Sequence, residues 1–454
     1  QLDVLSSGHR NNYETAVDSF GNVFGSDNDD DGNRGCRLYW VLDGGHYGYQ
    51  HPESTRHWAE EIPGIIPKLA GTGNGAPGGL LVYEGGLLPN EYEGAVLQID
   101  SGTHQVNVHP LVRHGSGFRS DYQVLLKGRD TWFRPIDLSI APDGSLYVCD
   151  WYDAGVGGNQ FTDQTTGRIY RLHGTNATGT HASFDASRPI AGLSSPNVAT
   201  RLAARDILVA RGAEGRSQLL DLSHSERAVD RARALHVLAS LPTTGVGDVV
   251  AALSDADARI RETALQLLAR DCLSEFVIHP HPSPDSAPAL QVLDAILPLA
   301  NDKDAGVRRT LLMALRHVSS ERIELPLREL VNSWDGRDRY YLEAVQAAVG
   351  ERESAFVQKL FDELADQAMA MSWDDRPVAL PPYFPVGTND AFLRPTDQLD
   401  SANSASRTIG VAWALGRIEA LPAIRRLLAA NRSPSVEQAA IIALSTIADV
   451  AAGE

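Results

Sequence analysis

The hydrophobic pattern divides the chain into two parts. Over residues 1–175, apolar and polar residues alternate in short runs separated by glycine-rich turns, a pattern that predicts β-strands. The clearest runs are 15–27 (TAVDSFGNVFGSD) and 136–152 (IDLSIAPDGSLYVCDWY). The second surrounds Pro-Asp-Gly, a strong turn signal because glycine accepts a positive φ angle and aspartate tolerates it. This part of the chain is therefore predicted to be all-β.

Many short strands with widely spaced turns are typical of β-propellers, in which each blade has four strands. At about 40 to 45 residues per blade, residues 1–175 would form about four blades. Most propellers have more blades than this, so we interpret residues 1–175 as the C-terminal blades of a partial propeller. Residues 176–194 are predicted to be a linker.

From about residue 195 the period becomes helical. Segments 255–270 (DADARIRETALQLLAR) and 302–318 (DKDAGVRRTLLMALRHV) each place apolar residues on one helical face, and their Asp-x-Asp cores recur 47 residues apart. This spacing is typical of HEAT and armadillo repeats, whose helix pairs stack because one pair cannot bury its apolar face alone. We predict an all-α, HEAT-like solenoid over 195–454, with a proline-rich insertion at 373–395. We expect its concave face to contact the propeller or another protein.

Composition excludes several classes of function. The net charge of -18 argues against binding nucleic acid through phosphate contacts. No stretch reaches the roughly 18 to 20 apolar residues of a transmembrane span. The three cysteines form no CxxC or CxxCH motif, which excludes a cysteine zinc cluster and a covalently attached haem in this chain.

An acidic stretch interrupts the first strand pattern. The sequence SDNDDDGN at 26–33 contains Asp27, Asp29, Asp30 and Asp31. Calcium takes six to eight oxygen ligands from carboxylates and tight-turn carbonyls, so these residues are candidate Ca²⁺ ligands. The loop lacks the closing glutamate and flanking helices of an EF-hand. The alternative interpretation is a solvated acidic turn.

Two further groups could contact a ligand. Arg10 and Asn11 combine a guanidinium that binds carboxylates bidentately with an amide that both donates and accepts, a pair suited to a carboxylated or quinonoid ligand. Trp132 and Arg134 combine a stacking surface with a cation. The alternative for this second pair is core packing beside a surface arginine.

These residues carry a family resemblance. GHRN at 8–11, the acidic loop, RLYWVLDGGHYGY at 37–49 and FRPIDLSIAPDGSLYV at 133–148 resemble the soluble pyrroloquinoline quinone (PQQ)-dependent glucose/sorbosone dehydrogenases. Those proteins are six-bladed propellers that oxidise sugars with PQQ and Ca²⁺. Over the whole chain, the architecture resembles the membrane-bound dehydrogenases of the Planctomycetes–Verrucomicrobia group, which join such a propeller to HEAT repeats.

The resemblance implies roles for individual residues. Arg10 and Asn11 match the quinone-contacting pair, and Arg134 matches the second arginine of a quinone clamp whose first arginine is replaced here by Trp132. The Asp27–Asp31 loop matches the segment that holds Ca²⁺. The family's catalytic histidine would precede Gln1, and His9 fits a supporting role better than catalysis.

Two functional hypotheses follow. The first is an exported oxidoreductase of the periplasm or cell envelope, which oxidises a sugar or other alcohol with PQQ and Ca²⁺ and passes electrons to a c-type cytochrome. The second is a calcium-stabilised propeller without redox chemistry, joined to a HEAT solenoid that binds protein partners. Trp132 in place of the clamp arginine favours the second hypothesis.

Overall fold

The computed structural model describes most of both parts of the chain: residues 4–28, 35–49, 60, 64–73, 75–154, 166–175, 184–241, 246–273, 287–370 and 404–430, with scattered residues between 437 and 448. The N-terminal part consists of strands in several sheets, and the part from residue 189 onward consists of helices. The predicted fold class, blades of an all-β propeller followed by an all-α repeat solenoid, is confirmed.

The strands of the described residues lie between Ser6 and Leu172. In chain order they are β1 (Ser6–Ser7), β2 (Thr15–Val17), β3 (Val23–Asp27), β4 (Cys36–Trp40), β5 (Gly45–His46), β6 (Ala70–Gly73), β7 (Pro77–Val82), β8 (Val96–Asp100), β9 (Gln105–His109), β10 (Val112–His114), β11 (Gly117–Arg119), β12 (Gln123–Lys127), β13 (Pro135–Ile140), β14 (Leu146–Asp150) and β15 (Arg168–Leu172).

Three antiparallel sheets follow one another along the chain, and we call them blades A, B and C. Blade A has the order β2-β3-β4-β6, blade B the order β7-β8-β9-β12, and blade C the order β13-β14-β15. The blades begin at residues 15, 77 and 135, so blades A and B are longer than the 40 to 45 residues expected, whereas blade C ends at residue 172. One reason is the β10–β11 hairpin, which is inserted between β9 and β12 of blade B.

The first strands of the blades lie side by side. Glycines allow β7 and β13 to approach closely: a Cβ atom on Gly79 would lie 2.8 Å from Asp137 Cα, and one on Gly78 would lie 2.9 Å from the Ile136 carbonyl oxygen. Because these contacts advance together along both strands, β7 and β13 run in the same direction. This is the arrangement of the innermost strands of a propeller.

Apolar side chains fill the spaces between blades. The core between blades A and B contains Phe24, Leu38, Trp40, Leu80, Val82 and Val96. The core between blades B and C contains Leu97, Ile99, Val106, Val108, Leu138, Leu146 and Val148. Successive side chains of a strand point to opposite faces, so β8 presents even-numbered residues to blade A and odd-numbered residues to blade C.

The helices follow from residue 189. They are α1 (Pro189–Leu193), α2 (Val198–Ala210), α3 (Ala213–Leu222), α4 (Ala228–Ala239), α5 (Val246–Val250), α6 (Ala258–Leu268), α7 (Ala287–Ile296), α8 (Ala305–Leu315), α9 (Glu324–Asn332), α10 (Arg339–Val349), α11 (Ser354–Ala370), α12 (Ser404–Leu415) and α13 (Leu421–Ala430). None of the described helices is long and apolar enough to cross a membrane. The proline-rich insertion at 373–395 lies outside the described residues.

Arginine–aspartate pairs join successive repeats of the solenoid. Arg231 in α4 forms a bidentate pair with Asp255 at 2.9 and 3.0 Å, and Arg261 in α6 forms the same pair with Asp302 at 2.8 and 2.7 Å. Each arginine also donates to two carbonyl oxygens in the loop before its own helix. We call these pairs the Arg–Asp ladder. It fixes the loops before the helices and the spacing between successive repeats.

One row of helices supports the propeller. Asn197, which caps α2, donates to the Ile140 carbonyl at the end of β13 (2.7 Å), and Thr263 of α6 donates to the Phe20 carbonyl in the turn after β2 (3.0 Å). Further along, the Tyr340 hydroxyl of α10 donates to a carbonyl just before β6 (3.1 Å). The innermost strands therefore end at the solenoid and begin at the opposite face, which we call the upper face.

Buried charges join the two parts. Glu84, in the loop after β7, accepts hydrogen bonds from the Ser19 hydroxyl (2.8 Å) and from Arg233 of α4 (2.9 Å), and Arg201 of α2 lies 3.5 Å away. The side chains of Arg233 and Glu84 are 7% and 9% exposed. A second cluster forms under the β10–β11 hairpin, where Glu262 pairs with both propeller and solenoid arginines. The contact thus depends on complementary charge as well as apolar packing.

Candidate functional site

The upper face holds all four residues that the sequence assigns to a cofactor. Arg10 and Asn11 lie before β2 of blade A, whereas Trp132 and Arg134 lie just before β13 of blade C. Blade B separates the two pairs. The structure therefore brings these residues to one face of the propeller, on corresponding entry loops of two different blades.

A buried aspartate in each blade fixes the entry to the innermost strand. Asp27, Asp100 and Asp150 are the last residues of β3, β8 and β14, and their exposed fractions are 0%, 0% and 4%. The backbone donors are Arg10 N and Asn11 N to Asp27, Ala76 N to Asp100, and Arg134 N to Asp150, at distances of 2.7 to 3.0 Å. Each carboxylate thus ties the end of the second strand to the beginning of the first.

This arrangement has a sequence signature that our sequence analysis missed. A glycine with positive φ precedes each aspartate by six positions, in GNVFGSD (21–27), GAVLQID (94–100) and GSLYVCD (144–150). The glycine forms the turn into the second strand, because its backbone adopts left-handed angles without strain. The Gly-x₅-Asp repeat would have marked Asp27 as a repeated structural position.

Asp27 uses both carboxylate oxygens within blade A. Oδ1 accepts from Asn11 N at 2.7 Å, and Oδ2 accepts from Arg10 N at 3.0 Å and from Arg37 Nη2 at 3.1 Å. The Arg37 and Asp27 side chains are 1% and 0% exposed. These bonds give Asp27 a structural role in the described residues, and its assignment as a Ca²⁺ ligand stays a prediction.

The other predicted metal ligands, Asp29, Asp30 and Asp31, lie outside the described residues. Across the ranges that the structure does describe, no three His, Cys, Asp or Glu side chains are grouped so that they could hold a metal ion. The assignment of these three aspartates to Ca²⁺ therefore also stays a prediction.

Arg134 is buried and bonded on all sides. Its Nε donates to the Asp153 carbonyl (3.1 Å), Nη1 to the Ser101 carbonyl (2.9 Å) and Nη2 to the Ala154 carbonyl (3.3 Å). Nη1 also lies 2.9 Å from His104 Nδ1. Burial lowers the pKa of the guanidinium. Arg134 therefore joins the loops that follow β8 and β14, and each of its side-chain nitrogens has a partner in the protein.

Trp132 belongs to an aromatic group beside Arg134. Its ring lies 5.7 Å from that of Tyr152, and the Arg168 guanidinium lies 3.8 Å from the centroid of the Tyr152 ring. Tyr152 and His104 have φ angles of 53° and 61°, and they are the two non-glycine residues with positive φ in the described chain. Such backbone strain is concentrated at functional sites in many proteins, and here both strained residues border Arg134.

His9 supports the loop of Arg10 and Asn11 from below. Its ring stacks between Tyr39 and Tyr47, with both centroid distances at 4.6 Å, and Nε2 lies 2.9 Å from the Ser6 hydroxyl. Burial lowers the pKa of His9 to about 4, so the imidazole is neutral at pH 7. The packing agrees with a supporting role for His9.

Comparisons with known proteins describe each part of the chain separately. A family model described as a domain of unknown function, DUF7133, matches residues 1–176. No curated protein sequence matches the chain. Part of the chain is similar to a proposed oxidoreductase (glucose dehydrogenase) from Thermus thermophilus, with 20% identity and a TM-score of 0.28 over 37% of this chain and 46% of the other.

Two more solved structures are similar to parts of the chain. The PQQ-bound aldose sugar dehydrogenase from Streptomyces coelicolor shares 21% identity at a TM-score of 0.28, over 37% of this chain and 45% of the other. A designed armadillo repeat protein shares 15% identity at a TM-score of 0.22, over 58% of this chain and 99% of the other. The chain spans about half the length of the two dehydrogenase structures.

Proposed function

We propose that this chain acts as a non-catalytic binding scaffold, in which the solenoid holds the propeller blades and the entry loops of the upper face contact a ligand. The observation that carries the proposal is that the Arg134 side chain hydrogen-bonds to backbone carbonyl oxygens of the propeller. Each nitrogen of its guanidinium already bonds within the protein, to the carbonyl oxygens of Ser101, Asp153 and Ala154, so a quinone carboxylate would have to compete with these bonds. The clamp position next to it is Trp132, which carries no charge.

Asp27 supports the same proposal. Its carboxylate accepts backbone hydrogen bonds in the manner of Asp100 and Asp150 in the other blades. A repeated structural role accounts for this buried acid without a metal ion. Of the residues matched to PQQ, Arg134 uses its guanidinium to join loops of the propeller.

The solenoid limits where a protein partner could bind. The row formed by α2, α4, α6, α8 and α10 supports the propeller, through bonds such as that from Arg233 to Glu84. A HEAT-type solenoid has two rows of helices. We therefore assign the partner-binding surface to the other row, which includes α3, α7, α9 and α11.

The second candidate function is that of an exported PQQ- and Ca²⁺-dependent sugar or alcohol dehydrogenase. The observation that favours it is the loop of Arg10 and Asn11, whose backbone is fixed by Asp27 while the Asn11 side chain is exposed on the upper face. Such a loop would present an amide and a guanidinium to a carboxylated ligand. A c-type cytochrome would then be the electron acceptor.

A titration with PQQ distinguishes the two functions. The full chain is titrated with PQQ by calorimetry, with and without Ca²⁺, alongside the variants Arg10→Ala and Arg119→Ala. Arg119 is an exposed arginine on β11 and provides a matched control. The scaffold proposal expects no Ca²⁺-dependent PQQ binding by any of the three proteins.

Ca²⁺-dependent binding of PQQ would favour the dehydrogenase. Saturable PQQ binding that requires Ca²⁺, and that Arg10→Ala weakens at least tenfold while Arg119→Ala leaves it unchanged, would overturn the scaffold proposal in favour of the dehydrogenase. A screen of sugars and alcohols with an artificial electron acceptor would then identify the substrate.

A further inference from the structure

The face of blade B that meets blade A contains a buried polar layer. On β8, Gln98 and Asp100 share this face with Val96, which belongs to the apolar core between the two blades. On β9, Asn107 lies opposite Gln98 and His109 lies opposite Val96. Gln98, Asp100, Asn107 and His109 all have an exposed fraction of 0%.

Blade A contributes a hydroxyl to the same layer. Ser26 lies two residues after Phe24 on β3, so both point to the same face, and Phe24 belongs to the apolar core between blades A and B. Ser26 is also 0% exposed. We call these five side chains, Ser26, Gln98, Asp100, Asn107 and His109, the A–B polar layer.

Hydrogen bonds within the layer fix the roles of its atoms. His109 Nε2 lies 3.0 Å from Gln98 Oε1, and the Gln105 amide donates to Asn107 Oδ1 at 3.0 Å. Because an amide oxygen only accepts, His109 carries its proton on Nε2, and Nδ1 is an acceptor. Burial lowers the pKa of His109 to about 3, which keeps the ring neutral.

Five polar atoms of the layer are left over. Among the residues that the structure describes they have no hydrogen-bond partner, and they are Ser26 Oγ, Gln98 Nε2, Asp100 Oδ2, Asn107 Nδ2 and His109 Nδ1. A buried polar group without a partner is strongly destabilising, and five such groups together would rival the stability of a whole domain. The set includes both donors and acceptors, so a molecule that bonds to it must both donate and accept.

The other face of blade B provides a contrast. There Leu97 and Ile99 of β8 and Val106 and Val108 of β9 meet blade C with apolar side chains. β8 and β9 thus have one apolar face and one polar face, and the polar side chains are buried as deeply as the apolar ones.

We propose that the A–B polar layer is an internal binding site for ordered water molecules, which bridge Gln98, Asn107 and His109 of blade B to Ser26 of blade A. Water fits this chemistry because it is small and both donates and accepts hydrogen bonds. Buried water molecules typically make about three hydrogen bonds to polar groups that would otherwise be unsatisfied. Asp100 also holds the entry loop before β7, but the four side chains to be bridged are not among the residues assigned to the ligand, so the proposal does not depend on the function proposed above.

Magnetic relaxation dispersion of H₂¹⁷O tests the proposal on the full chain, because it counts water molecules held inside the protein. The double variant Gln98→Leu/Asn107→Leu removes both unused amide donors, and Gln123→Leu makes a matched change on the exposed strand β12. The expected result is a loss of long-lived water signal in the double variant and none in Gln123→Leu. Equal signals in all three proteins would overturn the proposal.

A high-resolution crystal structure of the unmodified protein provides a test that does not depend on the variants folding. The expected result is solvent density within hydrogen-bond distance of Gln98 Nε2 and His109 Nδ1. Direct bonds from these atoms to blade A without solvent, or density for a larger molecule, would overturn the proposal.

Discussion

At the scale of single residues, the three blade aspartates differ in what they hold. Asp27 is paired with the buried Arg37, whereas Asp100 accepts from the backbone N–H groups of Ala76 and Thr103. Asp27→Ala removes the carboxylate that bonds to the buried Arg37 at 3.1 Å, and Glu60 lies farther from that guanidinium, at 3.9 Å, so we expect the free energy of unfolding to fall by about 3 to 5 kcal/mol. Asp100→Ala loses hydrogen bonds from backbone N–H groups, which carry no charge, and about 1 to 3 kcal/mol is expected. Urea denaturation of both variants measures the difference, and equal losses would contradict the structural role of the Asp27–Arg37 pair.

His109 makes the stability of the propeller depend on pH. Burial lowers its pKa from 6.5 to about 3 in the folded protein, so the unfolded chain binds a proton that the folded chain does not. This contribution is fully present above pH 6.5 and is lost as the pH falls, by about 1.4 kcal/mol per pH unit down to about pH 3. Denaturation between pH 7 and 4 should show a smaller slope for His109→Gln than for the unmodified protein.

The control for this measurement is an exposed histidine. His173→Gln removes such a group after β15 and should leave the pH dependence unchanged. Identical slopes for His109→Gln and the unmodified protein would show that His109 titrates normally.

The same scale shows why the candidate site could be predicted only in part. The sequence identified Arg10, Asn11, Trp132 and Arg134 as residues of one ligand-facing region, and the structure places all four on the upper face. The sequence could not show that Arg134 donates to carbonyl oxygens in the loops after β8 and β14, because these contacts depend on how the blades pack together. Charge alone marked Asp27 as a possible metal ligand, although its position in a repeated turn indicates a hydrogen-bond acceptor.

At the scale of elements, the Arg–Asp ladder should stabilise the solenoid through its buried members. Arg261 and Asp302 are 6% and 8% exposed, whereas Arg205 and Asp206 form an ion pair at 48% and 66% exposure. We expect Arg261→Ala to lower the free energy of unfolding by about 3 kcal/mol, because it leaves Asp302 buried without its partner. Arg205→Ala should change it by less than about 0.5 kcal/mol. Thermal denaturation followed by helical circular dichroism makes the comparison, and similar losses for both variants would contradict the ladder.

Elements with strong local patterns were the predictable ones. The repeated Asp-x-Asp segments predicted α6 and α8, and the two alternating runs predicted β2–β3 and β13–β14. The β10–β11 hairpin was not predicted, because its short strands gain their stability from the solenoid. Its Arg113 pairs with Glu262 and Asp304, nearly 150 and 200 positions away along the chain. Periodicity carries no information about contacts of that range.

At the scale of the whole molecule, Glu84 is the residue on which the union of propeller and solenoid should depend most. Its carboxylate joins Ser19 of blade A, its own loop in blade B and Arg233 of α4. Arg201 lies 3.5 Å away, and burial lowers the pKa of this arginine to about 10. Glu84→Gln removes the negative charge and leaves the buried Arg233 and the half-buried Arg201 close together, where they repel each other.

We expect the two parts of Glu84→Gln to unfold separately. Calorimetry of the unmodified protein should give one transition for propeller and solenoid, whereas the variant should give two, because the contact that joins them is weakened more than either core. Hydrogen exchange should rise in the turn at residues 18–22 and at the start of α4, while the apolar core between blades B and C keeps its protection. Glu91→Gln, an exposed acid in the same blade, is the control and should behave like the unmodified protein. A single unchanged transition in Glu84→Gln would show that apolar packing alone holds the propeller on the solenoid.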